Sequence, residues 1–412
     1  MEYLSVSAAL QCILKSVALP GAETVRLEQS LGRVLAEEVR ANRDQPPYDI
    51  SAMDGYALLS SDLSDIPATL QIIEDIKAGD MPAKTLTPGL CARIMTGAAM
   101  PQGADAVIRV EDTESLADGR VQIKQVVKPG NDIRRLGENM RNGEVVLTPG
   151  TEITPGVIGV LATVKRAQLS VYRRPNVAIL STGNELEGLN DPADPNKIPN
   201  SNSYALMAQT QALGITPVLL GIARDDPDEL ASYLRRGLEY DVLLVSGGTS
   251  VGVHDYVRPT IEALGAQMLF WRVAMKPGHP VAFGKIGEKM IFGLPGNPVS
   301  SMVCFEQFVL PALRRMMGHD RTCRRTVEAR MTHNIKHQAG RTEFIRVLLA
   351  KQQGGYTATS TGAQGSGMLL SMARADGLAI VPAGCNGLKP GDMVAVQLLD
   401  GTTFQEVAGF KE

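Results

Sequence analysis

The sequence has little of several features that each point to one class of protein. No apolar run approaches the ~20 residues that span a bilayer. Lysine and arginine number 41 against 44 acidic residues, and this balance argues against a nucleic-acid or membrane partner. The five cysteines are odd in number and form no CxxC pair. We therefore expect reduced, mostly buried thiols and a cytoplasmic location.

Aromatic residues make up only 4% of the chain, whereas glycine and proline are plentiful at 41 and 24 of 412 residues. Hydrophobic residues reach 44%, which supplies material for packed cores and excludes global disorder. At about 150 residues per domain, the length predicts two to three domains. The composition thus indicates a turn-rich, multi-domain, mildly acidic protein.

The first residues predict an amphipathic helix and not a targeting segment. Glu2 stands where a signal peptide has a basic residue, and Lys15 interrupts the apolar stretch. Apolar residues over 6–17 follow helical spacing, and Ser5 is a candidate N-cap. The pattern also predicts a second helix over 31–37.

The pattern changes several times along the chain and predicts a multi-domain protein of α/β and β parts. After residue 175, apolar strands alternate with turns and helices, which indicates a doubly wound parallel sheet covered on both faces. The predicted domains are a discontinuous N-terminal linker domain (1–45 and 140–173), a small β-rich domain (46–139), a central α/β domain (174–320) and a C-terminal β-barrel or sandwich (321–412).

Three glycine-rich turns follow predicted strands of the central domain. In doubly wound sheets, ligands bind outside the carboxyl ends of the strands, and glycine lets backbone N–H groups approach a phosphate. The turns predict an anionic, phosphate-bearing ligand; the alternative is that they are ordinary connections. Their candidate binding residues are Gly183, Ser246, Gly247, Gly248, Thr249, Ser250, Gly296 and Asn297.

Carboxylates lie near the same turns. Glu185, Asp225 and Asp255 offer the oxygen ligands that Mg²⁺ uses. Asp226 has a simpler role as the cap of a helix that begins at Pro227, so Asp225 is the better candidate ligand. The sequence therefore predicts a divalent metal held against a phosphate.

Two cations follow four residues apart, Arg272 and Lys276. In an extended segment they share one face and are suited to hold a phosphate or an oxyanion. The alternative is that both side chains are simply exposed to solvent. This alternative is less favoured for Lys276, because Pro-Gly follows it directly.

Two further motifs suggest other chemistry. Residues 248–252 match G-x-S-x-G, which would make Ser250 the nucleophile of an α/β-hydrolase. Such a triad needs a later histidine, and neither His279 nor His319 has a convincing context. His333 and His337 suggest zinc, but no third ligand follows at metal spacing, so we predict no zinc site there.

The motifs taken together resemble the molybdopterin molybdenumtransferase family, which includes the gephyrin E domain. The resemblance covers nearly the whole chain, although SGGTS alone is shared with molybdopterin adenylyltransferases. The motifs are SAMDGYA (51–57), RIMTGAAMPQGADAVIRVED (93–112), IRRLGEN (133–139), STGNEL (181–186), SGGTSVGVHDY (246–256), KPGHPVAFGK (276–285) and GLPGNPVSS (293–301).

The resemblance implies an enzyme that takes adenylylated molybdopterin and molybdate, inserts molybdenum at the dithiolene and releases AMP with Mg²⁺. It implies an elongated homodimer whose active cleft lies between the α/β domain of one subunit and the β domain of the other. Transient contacts with the adenylyltransferase and with molybdoenzyme-maturation proteins are also expected. A non-catalytic cofactor-binding or scaffold dimer is the alternative.

The family's site residues transfer position by position. The expected catalytic residues are Asp54, Thr96, Asp225 and Lys276, and the expected metal ligands are Glu185, Asp225 and Asp255. Arg272, Lys276 and Arg346 are expected to attract molybdate, with a hydrogen bond from Ser366. The chain departs from the family at Asn139, often Asp, and at Arg272 and His279, commonly Lys. His279 would make anion affinity sensitive to pH.

Overall fold

The computed structural model describes residues 3–248, 256–352 and 354–399. These residues form two compact units, one running from Val25 to Leu169 and the other built from the segments before and after it. Within the described residues, every helix is too short or too polar to cross a membrane. The predicted domain boundaries inside each unit stay predictions.

Each of the first four helices begins at a residue whose side chain caps it. Ser5 Oγ accepts from the Ala8 N–H (3.1 Å) at the first helix, and Asp226 accepts from the Glu229 N–H (2.8 Å) at the fourth, as predicted. The helices are α1 (Val6–Ser16), α2 (Pro155–Thr163), α3 (Ser201–Gln211), α4 (Pro227–Gly237), α5 (Val257–Ala263), α6 (Pro298–Cys304), α7 (Leu310–Met316) and α8 (Leu369–Ala373). A π-helical turn, Phe305–Val309, joins α6 to α7.

The predicted helix over 31–37 is wrong. A single 3₁₀ turn, Leu27–Gln29, precedes an extended segment that pairs with residues 151–153. The Leu35 N–H donates to the Thr151 carbonyl (3.0 Å), and Gly32 has φ of +72°. Long-range backbone pairing thus satisfies the groups that a helix would have satisfied locally.

The unit from Val25 to Leu169 contains a six-stranded sheet in the order β7-β4-β6-β5-β9-β8, with a hydrophobic cluster on each face. This arrangement confirms a small β-rich body in this region. The strands up to Tyr172 are β1 (Ala22–Arg26), β2 (Val39–Arg40), β3 (Ile50–Ser51), β4 (Gly55–Leu58), β5 (Ala68–Ile76), β6 (Leu90–Ile94), β7 (Ala106–Arg109), β8 (Thr113–Ser115), β9 (Arg120–Ile123), β10 (Ile133–Arg134), β11 (Val145–Leu147) and β12 (Gln168–Tyr172).

The second unit carries the predicted α/β sheet, in the order β16-β13-β17-β21-β20-β18. The first four strands run parallel, and the last two are antiparallel to their neighbours. Hydrophobic clusters pack against both faces of the sheet. The strands are β13 (Val177–Thr182), β14 (Leu186–Glu187), β15 (Ile198–Pro199), β16 (Val218–Ala223), β17 (Val242–Ser246), β18 (Gln267–Phe270), β19 (Met275–Lys276), β20 (Ala282–Ile286) and β21 (Lys289–Leu294).

The C-terminal strands close into a barrel, which confirms the predicted β architecture. β23, β24, β22, β26 and β25 pair in that order, and pairing of β25 with β23 completes the ring. The short strand β19 adds to β23 from outside, so it ties the α/β part to the barrel. These strands are β22 (Thr326–Met331), β23 (Thr342–Gln352), β24 (Gly355–Ser360), β25 (Gly377–Val381) and β26 (Met393–Leu398).

Candidate functional site

The turns after β13 and β16 are joined by hydrogen bonds at the carboxyl edge of the parallel sheet. The Asn184 N–H donates to Asp225 Oδ2, and the Asp225 N–H donates to Asn184 Oδ1, each at 3.2 Å. The Gly183 N–H donates to the Ala223 carbonyl (3.1 Å). The structure therefore brings the loops of Glu185 and Asp225 together, as the sequence predicts.

Two carboxylates of the predicted metal set lie on these joined turns. The Glu185 carboxylate folds back over Gly183, and Asp225 Oδ2 accepts the hydrogen bond from the Asn184 N–H. Hard oxygen donors fit Mg²⁺, but the described residues contain no group of three His, Cys, Asp or Glu side chains close enough to hold a metal. Asp255, the third predicted ligand, lies outside the described residues, as do Thr249 and Ser250.

The turn after β17 requires glycine. Gly247 and Gly248 have φ of +97° and +60°, and a Cβ at Gly247 would lie 2.5 Å from the Thr182 carbonyl oxygen. Ser246 is buried at the end of the strand. The backbone is thus drawn close to β13, where a side chain at 247 or 248 would not fit.

Asn202 was missed by the sequence analysis. Its Nδ2 donates to Ser246 Oγ and to the Gly296 carbonyl, both at 2.8 Å, from the first turn of α3. It therefore fixes the turn after β17 against the exposed turn at Gly296 and Asn297. The one available signal was its position two residues after Asn200, the cap of α3.

Lys276 lies at a cleft of about 730 Å³ beside the barrel. Its Nζ is 2.8 Å from Glu343 Oε1, and Glu343 Oε2 is 2.7 Å from His337 Nδ1. Glu343 was also missed by the sequence analysis, because a lone glutamate at the start of a strand carries no motif. His337 contacts this carboxylate through its Nδ1.

A cationic cluster surrounds the Tyr3 ring, which lines the same cleft together with Arg341. The guanidinium carbons of Arg272 and Arg341 lie 6.0 and 5.9 Å from the ring centroid, and the His279 ring is 5.8 Å away. Burial, Arg341 and Arg272 together lower the pKa of His279, so its imidazole is neutral at pH 7. Permanent positive charge in this cluster therefore comes from the arginines.

Arg346 is buried, with only 1% of its surface exposed. Its Nε donates to Ser371 Oγ and its Nη2 to the Gly365 carbonyl, both at 3.1 Å. Burial lowers the pKa of Arg346, and Glu343 opposes that shift. The guanidinium holds the turn that carries Ser366, whose carbonyl accepts from the Val299 N–H (3.1 Å). Its contact with molybdate stays a prediction.

Asp54 and Thr96 meet in the unit from Val25 to Leu169. The Thr96 N–H and hydroxyl both donate to Asp54 Oδ1, at 2.7 and 2.8 Å. These hydrogen bonds lower the pKa of the exposed Asp54 carboxyl. The next residue, Gly55, has to be glycine, because a Cβ there would clash with the Ile108 carbonyl of the neighbouring strand. The arrangement presents an ionised carboxylate and a hydroxyl at one surface.

Three family models match successive parts of the chain. They describe the MoeA N-terminal region (domain I and II) over residues 4–164, a probable molybdopterin binding domain over 178–315, and the MoeA C-terminal region (domain IV) over 328–399. Together they account for both units described above.

Curated relatives and solved structures resemble the chain over most of its length. A molybdopterin molybdenumtransferase of Bacillus subtilis is 36% identical, covering 92% of this chain and 90% of its own. One of Staphylococcus aureus (strain COL) is 34% identical, covering 98% and 97%. A crystal structure of a molybdopterin biosynthesis moeA protein from Pyrococcus horikoshii OT3 has a TM-score of 0.84 at 29% identity, covering 97% of this chain and 100% of its own.

Thr96→Val is expected to raise the pKa of Asp54 towards its ordinary value, because the hydroxyl hydrogen bond is lost while the backbone bond remains. Thr96→Ser keeps the hydroxyl and is the matched control. NMR titration of the Asp54 carboxyl carbon measures both variants. Equal Asp54 pKa values in the two variants would show that the hydroxyl does not stabilise the carboxylate.

Arg341→Gln is expected to raise the pKa of His279, because one of the two cations that oppose its protonation is removed. NMR titration of the imidazole carbon signals measures the shift. Arg235→Gln, which removes an exposed arginine from α4, should leave the His279 titration unchanged. A fall in the pKa of His279 on loss of Arg341 would contradict the assigned electrostatics.

Proposed function

Since this chain belongs to the molybdopterin molybdenumtransferase family, we propose that it inserts molybdenum from molybdate into adenylylated molybdopterin, with Mg²⁺-dependent release of AMP. The observation that carries the proposal is the pairing of joined acidic turns with a separate cationic cleft in one unit. Phosphoanhydride cleavage needs carboxylates for a metal, and an oxyanion substrate needs cations.

The acidic turns form the nucleotide side of the proposed site. Glu185, Asp225 and Asp255 would hold Mg²⁺, which when bound polarises a phosphoryl oxygen and stabilises the leaving phosphate. Asn184 orients Asp225 through its N–H, so the carboxylate is held before the substrate arrives. Backbone N–H groups at 247–250 and at the turn of Gly296 are assigned to pterin and phosphate.

The cleft of Lys276 forms the oxyanion side. Lys276 and Arg272 supply positive charge to molybdate, and Ser366 supplies a hydrogen bond. Arg346 donates to the Gly365 carbonyl and so holds the turn that carries Ser366.

The proposal includes a homodimer in which Asp54 and Thr96 of one subunit serve the cleft of the other. We assign Asp54 to orienting substrate or water, because its carboxylate is itself held by the Thr96 N–H and hydroxyl. Free cysteines, in the described residues, are compatible with the proposed cytoplasmic location. Transient contacts with the adenylyltransferase and with molybdoenzyme-maturation proteins belong to the same proposal.

Purified protein given adenylylated molybdopterin, Mg²⁺ and molybdate is expected to release AMP and to activate a cofactor-free molybdoenzyme. Chromatographic quantification of AMP measures the first step. Ligand retained unchanged under these conditions would favour a non-catalytic storage or scaffold role. Labelling of Ser250 by a fluorophosphonate would instead revive the hydrolase reading.

Asp225→Asn is expected to slow AMP release by on the order of 100-fold, because a neutral amide is a poor Mg²⁺ ligand. Asp226→Asn is the matched control, since it removes the same charge one residue away. Asparagine caps a helix about as well as aspartate, so this control should keep both stability and activity. Equal AMP release by the two variants would remove Asp225 from the metal site.

A further inference from the structure

Glu343 is a buried carboxylate held between two basic side chains. Only 4% of the residue is exposed, and its two oxygens lie 2.8 Å from Lys276 Nζ and 2.7 Å from His337 Nδ1. A carboxylate only accepts hydrogen bonds, so His337 Nδ1 carries a proton in this contact. Both oxygens of Glu343 are therefore engaged, one with each base.

The backbone brings Lys276 and Glu343 together. β19 runs parallel to β23 in a register that sets Lys276 opposite Glu343, and the Thr342 N–H donates to the Ala274 carbonyl (2.9 Å). The Lys276 side chain is 58% exposed, whereas the Glu343 side chain is only 5% exposed. The exposed ammonium is thus held by a buried carboxylate.

His337 holds the carboxylate in turn. Its side chain is 2% exposed, and its Nε2 is buried without a hydrogen-bond partner among the described residues. Leaving a buried polar atom unpaired is costly, so the Nδ1 contact has to offset that cost. Within the described residues, the hydrogen bond that the ring makes is therefore the one to Glu343.

The contact between Glu343 and Lys276 also limits the positive charge of the cleft. Glu343 cancels the charge of Lys276 at close range, so the excess comes from Arg341 and Arg272 around Tyr3. A substrate anion near Lys276 meets the carboxylate as well as the ammonium. Removing the carboxylate charge would strengthen anion binding and release the ammonium from its tether.

We propose that Glu343 is a positioning residue for Lys276, with His337 fixing Glu343. This inference rests on the proposed function, because Lys276 is the residue assigned to molybdate. Glu343 holds the ammonium in one orientation for the reacting oxyanion and weakens ground-state binding of that oxyanion. Binding and turnover should consequently respond in opposite directions when Glu343 loses its charge.

AMP release measured over a range of molybdate concentrations tests the proposal with Glu343→Gln. We expect the half-saturating molybdate concentration to fall about threefold, from the loss of one nearby negative charge. We expect kcat to fall roughly 10- to 100-fold, from the misplaced ammonium. A purely structural role would reduce the active fraction without tightening molybdate binding, and that result, or unchanged kinetics, overturns the proposal.

A second pair of variants covers the case in which Glu343→Gln does not fold. His337→Leu is expected to lower kcat, whereas His337→Asn, whose amide can donate from the Nδ1 position, is expected to restore most of it. Equal kcat values for these two variants overturn the proposal. Glu262→Gln, which removes an exposed carboxylate from α5, is the control for charge and should match the unmodified chain.

AMP release by the unmodified chain distinguishes a failure of the proposed function from a failure of the positioning role. If it releases no AMP at any molybdate concentration, the proposed function fails. If it releases AMP and Glu343→Gln behaves identically, only the positioning role of Glu343 fails.

Discussion

The parallel pairing of β13 with β16 and β17, and of β17 with β21, is the constraint on which the rest of the site depends. Strands that run in one direction end at one edge, so the loops after them meet whatever their separation in sequence. The Asn184–Asp225 hydrogen bonds join two of these loops, and Asn202 joins two more. The acidic side of the site is therefore a consequence of strand direction.

The cationic side depends on a different contact, the addition of β19 to the barrel strand β23. This pairing sets Lys276 against Glu343 and lays the cleft along the junction of two folding motifs. The barrel is closed by β25 and β23, so the position of Glu343 is fixed by a complete ring of hydrogen bonds.

Several ionised groups of the site are stabilised by partners in direct contact with them. Asp54 is stabilised by Thr96, Lys276 by Glu343, and the buried guanidinium of Arg346 by neutral oxygen atoms. The arginines around Tyr3 have no such carboxylate partner among the contacts that the structure shows for them. Arg341, which lines the cleft beside Tyr3, is consequently the cation of the described cleft most open to an anionic substrate.

The sequence by itself determined the alternation of strands and helices after residue 175, the glycine turns, the helix caps at Ser5 and Asp226, and the family. These depend on local patterns: apolar runs, capping residues and motifs read without reference to distant residues. The helix that its pattern predicted over 31–37 is wrong, and no pattern indicated a role for Asn202 or Glu343. Only the tertiary structure decided these three features, because each is a long-range contact that leaves no periodicity in the sequence. The segment over 31–37 pairs with residues 151–153, Asn202 hydrogen-bonds two turns, and Glu343 contacts Lys276 across β19 and β23.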